Sequence, residues 1–231
     1  MFLVNFKKKL QNKSPIEPIL LFLVFFLPGL LGQTRPIEAE VFNSLFFNIY
    51  YLAGSIPQIL LLLYLISRKG TGAYQRFGIP RFSGRDIAQG LLYFFGVLVL
   101  VLSAGAVASL LSVLFHFTIP KPPGWKISNL WMLPVVFMTL LSTGYREELF
   151  FRSYMLTEFI SETRDRVPVT IGVSLLFASG HLYQGVMGFI TTFIIGIFFS
   201  LVFLKKRNVH SIAIGHCLYD FIVLLFGTFL M

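Results

Sequence analysis

The segment GYREELFFRSYM (residues 144–155) carries four formally charged residues, Arg146, Glu147, Glu148 and Arg152. The sequence around them is otherwise largely apolar. A charged side chain at the centre of a membrane helix opposes insertion by roughly 2.5–3.5 kcal/mol. These four side chains must therefore be paired, lie near a membrane interface, or face an internal cavity. The plainer interpretation is that they mark the cytoplasmic end of a helix.

Helical geometry predicts different roles for the two carboxylates of this segment. Glu148 and Arg152 are four residues apart, so they share one helix face in the order that favours an ion pair. Glu147 points about 100° away, and its own neighbour one turn on is Phe151. We therefore expect Glu148 to be paired and Glu147 to have no cation on its own helix. Environments that push the pKa values of two carboxylates apart are a recurrent way to make a general base.

Two later apolar segments also carry ionisable side chains. FASGH ends with His181, and HCLYD places His216 and Asp220 four residues apart, on one helix face. Each histidine alone could equally be a hydrogen-bonding residue in helix packing. Because polar side chains in membrane helices face the bundle interior, we expect the polar sites of all three segments to converge on one cavity.

Other polar and aromatic side chains fit structural roles better. His116 and His210 fall near helix ends, where an interfacial histidine costs little. Tyr145 and Tyr183 flank the polar segments and are typical of aromatic packing. The single cysteine, Cys217, excludes a disulfide framework within the chain.

The elements that must position these residues are apolar helices. Hydrophobic residues make up 56% of the 231 residues, and the mean hydropathy is +0.79. A span needs about 20 apolar residues. By that measure the helices fall at roughly 16–33, 43–67, 87–117, 129–160, 167–183, 185–204 and 208–230. This pattern predicts an all-α integral membrane protein of about seven transmembrane helices, with eight as the alternative, forming a bundle around an intramembrane polar cavity.

Loop charges predict the orientation of the chain. The net charge of +9 does not indicate nucleic-acid binding, because the basic residues lie in short clusters between apolar spans. The clusters on one side are Lys7, Lys8, Lys9 and Lys13; Arg68, Lys69, Arg76, Arg81 and Arg85; Arg164 and Arg166; and Lys205, Lys206 and Arg207. The other side has Arg35, Lys121 and Lys126. This asymmetry predicts a multi-pass protein with a cytoplasmic N-terminus.

Three motifs stand in order along the chain, and together they resemble a known family. They are E-E-x-x-x-R (residues 147–152), F-x-x-x-H (residues 177–181) and H-x-x-x-D (residues 216–220). Each lies in a hydrophobic segment, and the set resembles the CPBP family of intramembrane endopeptidases. That family includes the CAAX-processing protease of eukaryotes and bacterial proteins linked to bacteriocin maturation and self-immunity. The resemblance covers about residues 129–225.

The resemblance implies a glutamate-dependent peptidase without a metal or other cofactor. By position, Glu147 would be the general base and His181 would help to hold and activate water. His216 and Asp220 would stabilise the oxyanion. Residues 126–231 would form the catalytic core, and residues 1–125 would add the N-terminal helices and a basic cytoplasmic loop to the same single membrane domain.

The remaining motif residues and one difference from the CAAX-protease branch, which the wider family pattern admits, complete this expectation. Glu148 and Arg152 would be structural or would position the substrate. The CAAX-protease branch has asparagine where this chain has Asp220, and an ionised Asp220 would repel an oxyanion. We therefore expect Asp220 to orient His216 through a ring nitrogen.

Several alternatives stay open on the sequence. A metal-dependent protease would use Glu, His and Asp as zinc ligands, although no H-E-x-x-H pattern is present. A membrane scaffold or bacteriocin-immunity protein would keep the motifs without catalysis, and a proton-coupled transporter would use buried Glu and His as a relay. The expected partners are a peptide or lipidated-peptide substrate and membrane lipids, without nucleic acid. The expected location is a prokaryotic cytoplasmic membrane, and the sequence does not indicate the oligomeric state or the substrate.

Overall fold

The computed structural model describes residues 16–32, 39–119, 124–161 and 165–230, and these form helices without any strand. The elements are α1 (Ile16–Gly32), α2 (Leu45–Ser67), the short α3 (Ala73–Arg76), α4 (Gly84–Phe115), α5 (Leu133–Glu148), a π-helix (Leu149–Leu156), the short α6 (Thr157–Phe159), α7 (Arg166–Ser179), α8 (Gly185–Lys206) and α9 (Val209–Leu230). Single 3₁₀ turns lie at Val41–Asn43, Leu130–Met132 and Leu182–Gln184.

Each predicted helical segment contains a helix in the structure, with boundaries that differ from the prediction by up to four residues. The third helix begins at Gly84 and not at residue 87, because Ser83 and Asp86 form a capping box at its N-terminus. The backbone N–H of Ser83 donates to Asp86 Oδ2 at 2.7 Å. The fifth predicted segment, residues 167–183, ends as a helix at Ser179.

The fourth predicted segment is interrupted. The chain is α-helical to Glu148, π-helical over residues 149–156, and α-helical again for one short turn. A π-helix is rare and frequently occurs at functional sites. Here it begins directly after the paired glutamates, and its residues are buried.

The helices give a membrane protein, although the predicted number of spans is not established. Within the part of the chain that the structure describes, four helical stretches are long and apolar enough to cross a bilayer: Leu45–Ser67, Gly84–Phe115, Leu182–Lys206 and Val209–Phe229. Ile16–Leu31 and Arg166–Ser179 are shorter apolar helices. The cytoplasmic position of the N-terminus stays a prediction. Several of the basic residues on which this prediction depends lie outside the described part of the chain, namely Lys7, Lys8, Lys9, Lys13, Arg35, Lys121 and Arg164.

Close helix packing sets the distances between the elements that carry the polar motifs. Helix α9 packs against α4 and α5, and α7 packs against α8. A Cβ atom added at Gly215 would lie 2.9 Å from the backbone oxygen of Gly90, and one at Gly144 would lie 3.1 Å from that of Ala213. Small residues at these crossings let the backbones approach. The motif-bearing helices α5 and α9 are therefore neighbours.

Helix α1 covers the beginning of the π-helix through aromatic side chains. The rings of Phe22, Phe25 and Phe26 contact those of Phe150 and Phe151, with centroid separations of 4.8–6.4 Å. The N-terminal end of α1 is also tied to the rest of the chain by an ion pair. This pair joins Glu17 Oε2 and Lys69 Nζ at 3.1 Å.

Candidate active site

The sequence-predicted polar residues come from three parts of the fold. Glu147 and Glu148 end α5, Arg152 lies in the π-helix, His181 follows α7, and His216 and Asp220 lie on α9. The structure brings the carboxylates and His216 within ion-pair or near-ion-pair distance of one another. His181 lines the same cavity as Glu147, His216 and Asp220.

Glu148 and Arg152 form the predicted ion pair. Arg152 Nη1 donates to Glu148 Oε1 at 3.0 Å, and both side chains are 0% exposed. The guanidinium lies 4.1 Å from the ring centroid of Phe177 and contacts the oxygen of Gly196 at 3.4 Å. The aromatic ring and the carbonyl give the buried cation favourable partners. This pair is isolated from solvent and has a fixed geometry.

His216 connects the buried ion pair with the other carboxylates. Its Nδ1 lies 2.8 Å from Glu148 Oε1. Because the carboxylate of Glu148 accepts from Arg152 and has no proton to offer, Nδ1 carries the hydrogen of this bond. The other ring nitrogen, Nε2, lies 3.4 Å from Asp220 Oδ2 and 3.9 Å from Glu147 Oε2. The ring itself is held edge-on by Phe177 and stacked by Phe199.

These distances bear on the expected role of Asp220. It does contact His216 through a ring nitrogen, as the sequence predicts, but at 3.4 Å. The shorter contact comes from Glu148, which fixes the opposite nitrogen. The hydrogen bond that orients the ring is therefore made by Glu148, and an orienting role for the charge of Asp220 stays a prediction.

The expectation that Glu147 has no cation on its own helix is wrong. Arg146 Nη2 donates to Glu147 Oε1 at 3.1 Å. Adjacent helical residues point about 100° apart, but the arginine side chain is long enough to fold back over that angle. Its guanidinium lies 5.4 Å from the ring centroid of Phe26, on α1. As a result, one oxygen of Glu147 is held by Arg146 and the other faces His216.

His181 lies in a turn and not within a helix. The N–H groups of Gly180 and His181 bond to the oxygens three residues earlier, at Phe177 and Ala178, which tightens and ends α7. His181 Nδ1 lies 3.2 Å from the oxygen of Phe177. That contact assigns the hydrogen to Nδ1 and leaves Nε2 as an acceptor when the ring is neutral. Tyr183 stacks on the ring at a centroid distance of 6.2 Å.

One cavity of about 1350 Å³ joins these groups. Its polar wall includes Arg146, Glu147, His181, His216 and Asp220. Much of the remaining wall is aromatic or aliphatic and comes from α1, α2, α4, α8, α9 and the segments that connect the helices. It includes Phe22, Phe25, Phe26, Tyr50, Tyr51, Trp125 and Tyr183. Glu148 and Arg152, which are fully buried, lie behind this wall and not on it.

The other polar residues singled out in the sequence occupy structural positions. His116 is the exposed C-terminal cap of α4, in the left-handed conformation. His210 contacts the oxygen of Pro80 at 2.9 Å and the hydroxyl of Tyr145 at 3.2 Å, and so joins α9 to α5. Cys217 is buried.

Sequence reasoning missed two features of the site. Arg146 belonged to the charged segment but received no role, and its proximity to Glu147 in the chain was the available signal. Phe199, which stacks on His216 at 5.7 Å, had no signal, because it is one of 27 phenylalanines.

Among the described residues, no group of three or more His, Cys, Asp or Glu side chains is arranged to hold a metal ion. One nitrogen of His216 is already engaged by Glu148. The geometry is that of an ion-pair and hydrogen-bond network.

Comparison with known proteins gives one match. Residues 128–222 match the family model described as Type II CAAX prenyl endopeptidase Rce1-like. No curated protein and no solved structure gives a significant match to the chain. The matched residues include α5, the π-helix, α7 and α8, and all but the last turns of α9, and they contain all three motifs. The family supports a membrane protease of the CAAX type. Over the helices that carry the polar site, the chain is therefore similar to the CAAX endopeptidases, in agreement with the resemblance that the three motifs indicate.

Proposed function

We propose that this protein is an intramembrane endopeptidase in which Glu147 activates water against a peptide bond. The observation that carries the proposal is the separation of 3.9 Å between Glu147 Oε2 and His216 Nε2, on the wall of a cavity that His181 also lines. This distance is too long for a direct hydrogen bond. It suits a reacting oxygen held between a base on one side and a donor on the other.

The proposed reaction uses the two oxygens of Glu147 differently. Arg146 holds Oε1, so Oε2 accepts the proton of water. The resulting hydroxide attacks the carbonyl carbon of the peptide and gives a tetrahedral oxyanion. The proton on Glu147 passes to the amide nitrogen as the C–N bond breaks, which restores the carboxylate. His181 accepts a hydrogen bond from the same water through Nε2 and orients it.

His216 acts on the opposite side of the carbonyl. With Nδ1–H donating to Glu148, a proton on Nε2 is aimed into the cavity, where it stabilises the oxyanion. Asp220, at 3.4 Å from Nε2, either shares that proton or, when protonated itself, donates to the oxyanion. Glu148 and Arg152 do not touch the substrate in this scheme. They position His216 from behind.

The proposed reaction uses no metal ion, since base, water-orienting group and oxyanion donor are all supplied by side chains. This part of the proposal is tested on purified, active protein by elemental analysis and by chelator treatment. Activity that survives the chelator supports it. Activity that is lost on chelation and restored by zinc contradicts it.

The proposed substrate is a peptide, or a lipidated peptide, that reaches the site from the bilayer or its cytoplasmic interface. Aromatic and aliphatic side chains from several helices form most of the cavity wall, which suits an apolar chain. The proposal includes seven spans in one membrane domain, with residues 126–231 as the catalytic core and the N-terminus in the cytoplasm.

The decisive experiment compares peptides from cells with the wild-type protein and with Glu147→Gln. The substitution keeps the shape of the side chain and removes the base, so we expect product peptides to fall by about 100-fold or more. Glu40→Gln is the matched control, because Glu40 does not line the cavity and its carboxylate accepts a hydrogen bond from Ser128. A scaffold or immunity protein would keep its phenotype in Glu147→Gln, and that result would refute the proposed catalysis.

A further inference from the structure

A second concave surface lies between α7 and α8, away from the polar cavity. The short connection at residues 180–184 makes the two helices an antiparallel hairpin. The start of α7 and the end of α8 therefore meet at the far end of the hairpin. A groove of about 450 Å³ lies there, lined by the cations Arg166 and Lys205 and by apolar residues that include Val167, Ile171, Ile197 and Leu201. We name it the α7–α8 groove.

The apolar walls of the α7–α8 groove face outward. Val167, Ile171 and Leu201 are 68%, 43% and 56% exposed. Leu201 belongs to a helical stretch that is apolar and long enough to span a bilayer. Exposed apolar side chains of this kind suit the hydrocarbon of a membrane, and the groove between them has a polarity that suits an acyl chain.

The cations lie together at one end of this apolar groove. Arg166 is in the first turn of α7 and Lys205 is in the last turn of α8, and both are exposed. The described residues that line the groove include no carboxylate. Asp165 precedes Arg166 in the chain and is not part of the lining. The lining thus has two positive charges at its polar end.

A third cation close to this end strengthens the positive field. The pKa of the Arg207 guanidinium is lowered, first by burial and second by the charge of Arg166. Arg207 itself donates to the oxygen of Arg76 and lies 4.8 Å from the ring centroid of Phe203. Its hydrogen-bonding capacity is therefore partly used within the fold, whereas Arg166 and Lys205 present their head groups outward.

We propose that the α7–α8 groove binds an anionic phospholipid. The phosphate lies between Arg166 and Lys205, and one acyl chain lies along Val167, Ile171 and Leu201. A long ligand that is anionic at one end and apolar along the rest matches both the charge and the shape of the groove. This site is independent of the proposed peptidase chemistry, because its lining shares no described residue with the polar cavity.

The test measures lipid binding to the purified full-length protein by native mass spectrometry from detergent micelles. The probes are phosphatidylglycerol, phosphatidylcholine with the same acyl chains, and inorganic phosphate. Arg166→Gln with Lys205→Gln should weaken phosphatidylglycerol binding by about 30-fold, since each cation near the membrane surface contributes roughly a fivefold factor. The matched control is Lys206→Gln with Arg85→Gln, which changes the net charge equally and leaves the groove lining intact.

A second variant tests the apolar part of the groove separately. Leu201→Trp keeps both cations and fills the space between the helices, and it should also weaken phosphatidylglycerol binding by tenfold or more. The proposal is overturned if the control pair weakens binding as much as the groove pair. It is also overturned if phosphatidylcholine binds as tightly as phosphatidylglycerol, if Leu201→Trp has no effect, or if inorganic phosphate alone displaces the lipid. None of these readouts depends on peptidase activity.

Discussion

Arg152→Met should destabilise the protein severely, although Arg152 does not line the cavity. The substitution keeps an apolar stem of similar length but leaves the carboxylate of Glu148 without its cation. Both side chains are 0% exposed. Removing one partner of a buried ion pair costs about 3–5 kcal/mol. The lost contact with the ring of Phe177 adds about 0.5–2 kcal/mol.

One compensating effect limits that cost. His216 Nδ1 donates to the same oxygen of Glu148, so the carboxylate keeps one hydrogen bond when Arg152 is replaced. We therefore expect the free energy of unfolding to fall by about 3 kcal/mol, the lower end of the range for broken buried pairs. The single remaining hydrogen bond from His216 does not replace the contact that the guanidinium of Arg152 supplied.

The assay is a double-mutant cycle on the protein in micelles, with unfolding by SDS followed through helicity. Glu148→Gln removes the charge and keeps an acceptor for His216. In Glu148→Gln with Arg152→Met no charge is left unpaired, so the double variant should be about 1–3 kcal/mol more stable than the sum of the single effects predicts. Additive single effects, or a loss below about 1 kcal/mol for Arg152→Met, would refute the reasoning from buried charge.

Two further changes probe the positions of the helices and the role of the last motif residue. Gly215→Ala places a Cβ atom 2.9 Å from the backbone oxygen of Gly90, so it should lower the free energy of unfolding by about 1–3 kcal/mol. Gly105→Ala is the control, because a Cβ atom added there meets no other atom within 4 Å. It should be neutral or stabilising in the same measurement. Asp220→Asn should keep at least about a tenth of kcat/KM for a cleaved peptide, because Glu148 already orients His216 and an amide can donate to the oxyanion. A loss as large as that of Glu147→Gln would mean that the charge of Asp220 is required.

The helices were predictable because their signal is local. Long apolar runs define α2, α4, α8 and α9, and the predicted boundaries of these four helices agree with the structure to within three residues. The ion pair of Glu148 and Arg152 followed from the spacing of side chains on one helix face. Such features depend only on residues within a few turns of one another.

The parts that could not be predicted depend on alternative backbone hydrogen bonds or on tertiary contacts. The π-helix at residues 149–156 has a composition that an α-helix would accept equally well. The end of α7 at Ser179 results from bonds to residues three earlier, which place His181 in a turn. The guanidinium of Arg146, which contacts Glu147, lies over the ring of Phe26 from another helix. No periodicity in the sequence reports that contact.

The two glutamates of the motif illustrate how one physical constraint produces two functions. A charge inside a membrane protein needs either a partner or access to water. Glu148 has two partners, the buried guanidinium of Arg152 and the imidazole of His216. Glu147 is held at one oxygen by Arg146 and presents the other to the cavity. His216 lies between the two, with Nδ1 2.8 Å from Glu148 on the buried side and Nε2 3.9 Å from Glu147 on the cavity side. The stability of the first pair therefore sets the geometry available to the second, so substitutions of Glu148 or Arg152 should reduce kcat by displacing His216 even where the base itself is untouched.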